Sequence, residues 1–128
     1  MIFGQTEAVT LGMLRTALDA ASMRHQAIAN NIANVNTAGY RPASVDFEQQ
    51  MDTLRETLAQ GGVVTPDMLS GIHPVLQRAA PLADADRTAL LDTEVANMTQ
   101  NTVQYEALLK ALGKHMSILS SAIAEGKR

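Results

Sequence analysis

The sequence predicts an all-α protein: two long helices, one at each end, pairing as a coiled-coil arm around an irregular, Pro- and Gly-containing middle. Three observations predict it. All four prolines, Pro42, Pro66, Pro74 and Pro81, fall between the two ends, where each interrupts helix. Both flanks carry apolar residues at alternating three- and four-residue spacing, the repeat that keeps one seam facing a partner over many turns. Only Phe3, Tyr40, Phe47 and Tyr105 are aromatic, so the 46% apolar fraction is mostly Ala, Leu, Ile, Val and Met. The 128 residues have room for one structural domain overall, divided into an N-terminal arm (1–35), a middle segment (36–88) and a C-terminal arm (89–128).

The first helix is expected from about residue 6 to residue 35. Its seam is Leu11, Leu14, Leu18, Ala21, His25, Ile28, Ile32 and Val35. The middle is short of periodic runs, and the best of them, Val45 to Leu58 before Gly61-Gly62, allows one short helix. The second long helix is expected over about residues 89 to 124. Its seam is Leu91, Val95, Met98, Thr102, Tyr105, Leu109, Leu112, Met116, Leu119 and Ile123. Near the start of that helix, Asp86, Thr88 and Asp92 are each suited to cap it.

Charge is sparse on both arms. Residues 6–36 carry only Glu7, Arg15, Asp19 and Arg24, and residues 92–124 only Asp92, Glu94, Glu106, Lys110 and Lys114. A two-stranded coiled coil in water lines its flanking positions with Glu and Lys. Here those positions hold Ala17, Ala20, Ala27, Ala29 and Ala33 on one arm, and Leu108, Ala111, Ile118 and Ala122 on the other. Helices that are apolar or small on several faces are buried on several faces. The arms are therefore expected to finish their packing against other chains; a bundle completed by the middle segment is the alternative.

The first arm ends in Asn30, Asn31, Asn34 and Asn36, then Thr37, Gly39, Tyr40 and Pro42. Helix termination accounts for Asn36, Gly39 and Pro42. It accounts poorly for Asn30 and Asn31, which sit where the helix is still running and lie off the expected seam. Amides on an outer face fit polar, register-setting contacts to neighbouring subunits.

The run Ala29-Asn30-Asn31-Ile32-Ala33-Asn34-Val35-Asn36-Thr37-Ala38-Gly39-Tyr40-Arg41, followed by Val45-Asp46-Phe47-Glu48, resembles the N-terminal signature of the bacterial flagellar rod, hook and hook-associated family. The C-terminal stretch Glu94-Val95-Ala96-Asn97-Met98, then Asn101 and Tyr105-Glu106-Ala107-Leu108-Leu109, is similar to the family's C-terminal helix. The length and the ending Leu119 to Gly126 resemble the short proximal rod subunit more than the other short rod protein, which stays as an alternative. Asp86-Arg87-Thr88-Ala89-Leu90-Leu91-Asp92 departs from the family's usual pattern before that helix.

The resemblance implies a structural subunit of the basal-body rod that polymerises through its terminal helices, transmits torque and encloses an export channel. It implies Asn30, Asn31, Asn34, Asn36, Thr37, Gly39 and Tyr40 as an assembly motif. It also implies partners among other rod subunits and basal-body or export-gate proteins, self-association within the rod, and type III export without a cleaved signal to a periplasmic location. The contrasting reading is a soluble helical adaptor or chaperone of the export system.

The residues themselves exclude most chemistry. Cysteine is absent and the net charge is −3, which disfavours thiolate catalysis, Cys-ligated zinc and nucleic acid as a partner. His25, His73 and His115 do not share metal-ligand spacing; His25 reads as a core or subunit-contact residue and His115 as a helix-face residue. Gly61-Gly62 is no phosphate loop, and Ser70-Gly71 lacks the setting of a nucleophile elbow. No enzyme, metal or cofactor is expected. The N-terminus lacks the pattern of a secretory signal, and the uncharged stretch His25–Tyr40 carries too many amides for a direct membrane span.

Overall fold

A computed structural model of the chain describes residues 2–126; Met1 and residues 127–128 of the two expected arms lie outside the described residues. Helix α1 runs Ile2–Ala33 and helix α4 runs Arg87–Gly126. At 1.5 Å per residue they span roughly 48 and 60 Å. They pack antiparallel: Asn31 meets Glu94, Asn101 meets the Ala21 carbonyl, and His115 meets Glu7. The small side chains Ala20, Ala21 and Ala27 are buried on α1, which lets neighbouring backbone approach closely.

The segment between the long helices is more ordered than its sequence suggests. Strand β1 (Ala43–Asp46), helix α2 (Glu48–Ala59), helix α3 (Pro66–Ser70) and strand β2 (Val75–Arg78) precede a 3-10 turn at Asp84–Asp86. The strands pair antiparallel, with Ala43 opposite Arg78 and Asp46 opposite Val75. This corrects the all-α expectation. Four-residue strands are too short for alternation to stand out, and each finds its partner some thirty residues away in the chain. Pro42 nevertheless favours extended backbone at the strand entrance. Ala43 and Val45 turn inward while Ser44 is exposed. With Ala27 they form a small core, against which Met23 packs.

Helix α2 is the short helix expected before Gly61-Gly62, and its end shows why those glycines are there. Gly61 N–H donates to Leu58 O at 3.1 Å and Gly62 N–H to Thr57 O at 2.8 Å. With Gly61 at φ +79°, this is a Schellman termination. A Cβ on Gly62 would lie 2.8 Å from Thr57 Cγ2 and 2.9 Å from Thr57 O, so both positions require glycine. Helix α3 is capped by Thr65, whose side chain accepts from Met68 N–H, with Pro66 in the first turn. It lies on the first half of α1, where Gly12 leaves room: a Cβ there would be 3.3 Å from Leu69 Cδ1. Gln50 holds the loop before β2 with both ends of its amide, donating to His73 O and accepting from His73 N–H. The 3-10 turn runs directly into α4, and Arg87 pairs with Asp84 at 2.8 Å across the junction.

Candidate functional site

At the end of α1 one amide ties together three elements and the Tyr40 loop. Asn31 is 2% exposed. Its Nδ2 donates to Ala43 O at 2.7 Å and to Glu94 Oε2 at 3.0 Å, while its Oδ1 accepts from Ala43 N–H at 2.8 Å and Tyr40 O–H at 2.6 Å. Two donors and two acceptors are what a carboxamide offers, and all are used. Toward Ala43 the amide acts as a neighbouring strand would, taking both backbone groups on the edge of β1 opposite β2. Arg24 continues that edge, donating to Val45 O at 3.0 Å while pairing with Glu48 at 2.8 Å.

The expectation that Asn30 and Asn31 face outward toward neighbouring subunits is therefore corrected at Asn31, whose amide is consumed inside the chain. Asn34 closes the helix locally: its Nδ2 donates to Asn30 O at 2.9 Å and its Oδ1 accepts from Thr37 Oγ1 at 3.1 Å. Such side-chain competition for helical carbonyls is why Asn ends helices, and α1 stops at Ala33, two residues before the expected end at Val35. Gly39, at φ +72°, turns the chain so that the Tyr40 hydroxyl reaches back to Asn31. Asn30 and Asn36 are exposed.

Of the residues expected on the first seam, Ala21, Ile28 and Val35 are buried and Leu11, Leu14, Leu18 and Ile32 half-buried, whereas His25 is exposed and the off-seam Ala20, Ala27 and Asn31 are buried. On α4 the contact face is rotated. Leu91, Met98, Leu112 and Leu119 are half-buried, and Tyr105 is exposed. The companion row is not Val95, Thr102, Leu109, Met116 and Ile123, all of which are exposed. It is the neighbouring row of Glu94, Asn101, Leu108 and His115, buried or half-buried. Two hydrogen-bonded contacts and one close polar approach to α1 accompany the rotation. Glu94 and Asn101 find partners on α1, Asn101 donating to Ala21 O at 2.9 Å, and His115 Nε2 sits 3.1 Å from the Glu7 carboxylate. The two rows are one residue, about 100°, apart and flank the retained Leu91–Leu119 row on either side, so exchanging them turns the contact face by about half that angle. The more apolar row is left outside, with Val103 and Ile118 exposed beside it.

Glu94, Asn101 and Ala43 were not singled out as contacts by sequence. Their signal is the seven-residue spacing Glu94, Asn101, Leu108, His115, a second seam that hydrophobicity alone passes over. Among the described residues no group of three or more His, Asp or Glu side chains is arranged to hold a metal ion, and no helix is long and apolar enough to cross a membrane.

Comparison with known proteins falls on the same residues. The family described as "Flagella basal body rod protein" matches residues 11–41, the stretch from the α1 seam through the Asn31 hub to Tyr40. The chain is similar to flagellar basal body rod proteins. It is 25% identical over 125 residues to the flagellar basal body rod protein FlgB of Bacillus subtilis, covering 92% of this chain and 95% of that one. It is 26% identical to FlgB of Yersinia enterocolitica and of Escherichia coli K12, in each case over 86% of this chain and about nine-tenths of the relative. The likeness to rod proteins thus spans the strands and short helices of the middle as well as both arms.

Proposed function

We infer that this chain is a structural subunit of the bacterial flagellar basal-body rod, of the FlgB type, and that it polymerises by burying the outer face of α4 against neighbouring subunits. The observation that carries this reading is the apolar row Val95, Leu109, Met116 and Ile123, exposed along a helix whose other face is already committed to α1. Burying the exposed half of each of these side chains is worth roughly 1 kcal/mol apiece, so one such face gives several kcal/mol per contact. Repeated contacts of this kind build a stiff tube that transmits torque and encloses the export channel. The outward Asn30 and Asn36 are available for polar contacts between subunits, while Asn31, Asn34, Thr37, Gly39 and Tyr40 act indirectly by fixing β1 and the end of α1. In this reading the chain forms one domain, leaves the cytoplasm through the flagellar export apparatus without cleavage, and meets other rod subunits and export-gate proteins at the base of the rod.

Purified hook–basal bodies from the source bacterium provide the test. Mass spectrometry is expected to find the chain in several copies, retained after the rings are stripped away. Its absence there, with the folded chain recovered from the cytoplasm, would transfer the weight to an adaptor or chaperone of the export system.

A further inference from the structure

Between α1, β1 and α4 lies an open polar cleft of about 300 Å³. Three charged side chains line it, Arg24, Glu48 and Glu94, leaving one net negative charge. Arg24 is already engaged by Glu48 and the Val45 carbonyl. Glu94 is different: it is 7% exposed, and two neutral amides hold its carboxylate, Asn31 Nδ2 at 3.0 Å and Asn97 Nδ2 at 3.1 Å. No cation pairs with it among the described residues. A buried carboxylate without a counter-charge is costly. A second acceptor in the same wall is also unfilled. Asn101 is 3% exposed, its Nδ2 is used on Ala21 O, and its buried Oδ1 has no hydrogen-bond partner.

A cleft with one surplus negative charge and two acceptor-bearing residues two turns apart on one helix asks for a monocation with several N–H donors. A guanidinium offers five in a planar fork, whereas an ammonium converges its donors on one point. The chain itself carries a free guanidinium. Arg24, Arg55 and Arg87 are ion-paired, and Arg41 and Arg78 bond to backbone carbonyls. Arg15, exposed on α1, has neither kind of partner among the described residues.

We propose that the cleft at Glu94 and Asn101 is a guanidinium socket, filled in the assembled rod by Arg15 of a second copy of this chain. The proposal rests on the rod-subunit reading for its partner, but the socket itself does not. Socket and partner are therefore tested separately. The purified full-length chain is titrated with N-acetyl-arginine amide and, as the uncharged control, N-acetyl-citrulline amide, following side-chain amide resonances by NMR. Saturable shifts at Asn97, Asn101 and Gln104 with arginine alone, weakened at least about tenfold in Glu94→Gln, are expected. Absence of saturation, equal response to citrulline, or shifts confined to the hollow on the other side of Asn101 at His25 and Tyr105 overturns the socket.

For the partner, a photo-cross-linking amino acid replaces Gln104, an exposed residue at the cleft, and hook–basal bodies are irradiated. A cross-linked peptide containing Arg15 of another copy is expected. Cross-links that omit it overturn the assignment to Arg15, and absence of the chain from the basal bodies overturns the rod reading while leaving the titration result standing.

Discussion

Replacing Asn31 with alanine removes four hydrogen bonds at once, and the structure says which losses are felt. Ala43 is buried, so its N–H and C=O are left without the partner that now satisfies them. A buried backbone group deprived of its bond costs about 1–3 kcal/mol, giving roughly 2–6 kcal/mol for the pair. Tyr40 is half-buried, so its loss adds little, whereas the buried Glu94 carboxylate keeps only Asn97 and adds to the cost. Against this, Ala is the better helix former by about 0.5 kcal/mol. The net expectation is about 4 kcal/mol of destabilisation, a large part of a typical domain's 5–15 kcal/mol. Asn30→Ala is the matched control: one residue away, exposed, and subject to the same propensity gain without the loss. Urea unfolding of the purified chain, followed by circular dichroism at 222 nm, should give opposite signs for the two variants. Agreement between them within about 1 kcal/mol would refute the hub.

Three further outcomes follow from the geometry. Leu109→Asp, on the outer row of α4, should change unfolding free energy by no more than about 0.5 kcal/mol yet abolish incorporation into basal bodies, measured by immunoblot of the purified organelle; incorporation at normal levels would remove the outer face from the assembly surface. Gly61→Ala forces an L-residue to φ +79° and should cost about 1 kcal/mol in the same urea titration; an unchanged midpoint would speak against the Schellman ending of α2. Hydrogen exchange on the dilute chain should protect residues 90–101, which pack on the Asn31 end of α1, more than 116–126, and uniform protection along α4 would mean the outer row is already covered.

The sequence showed the two long helices because an apolar repeat sustained over eight or ten positions survives local noise. It also showed the stop at Gly39 and Pro42, where conformational chemistry is local. The sheet was hidden because its strands are four residues long and their pairing is non-local. The rotation of α4 was hidden for another reason. Ranking rows by hydrophobicity favours Val95, Leu109, Met116 and Ile123, whereas the chain buries Glu94, Asn101 and His115 where α1 offers polar partners. Hydrophobic pattern identifies apolar faces, but it does not say which of them the same chain covers. Asn31 carried a partial signal: its position inside a running helix marked it as unusual, though its partners at Ala43 and Glu94 lie 12 and 63 residues away.

The central claim is that the chain is a rod subunit whose apolar α4 face is completed by other chains. The most direct measurement is a cryo-electron microscopy map of the basal-body rod from the source bacterium, with this chain traced by its side chains. The account predicts the α1–α4 pair as a repeating unit of the rod, with Val95, Leu109, Met116 and Ile123 buried between subunits. A rod without this chain, or one that leaves that row facing solvent, would contradict it.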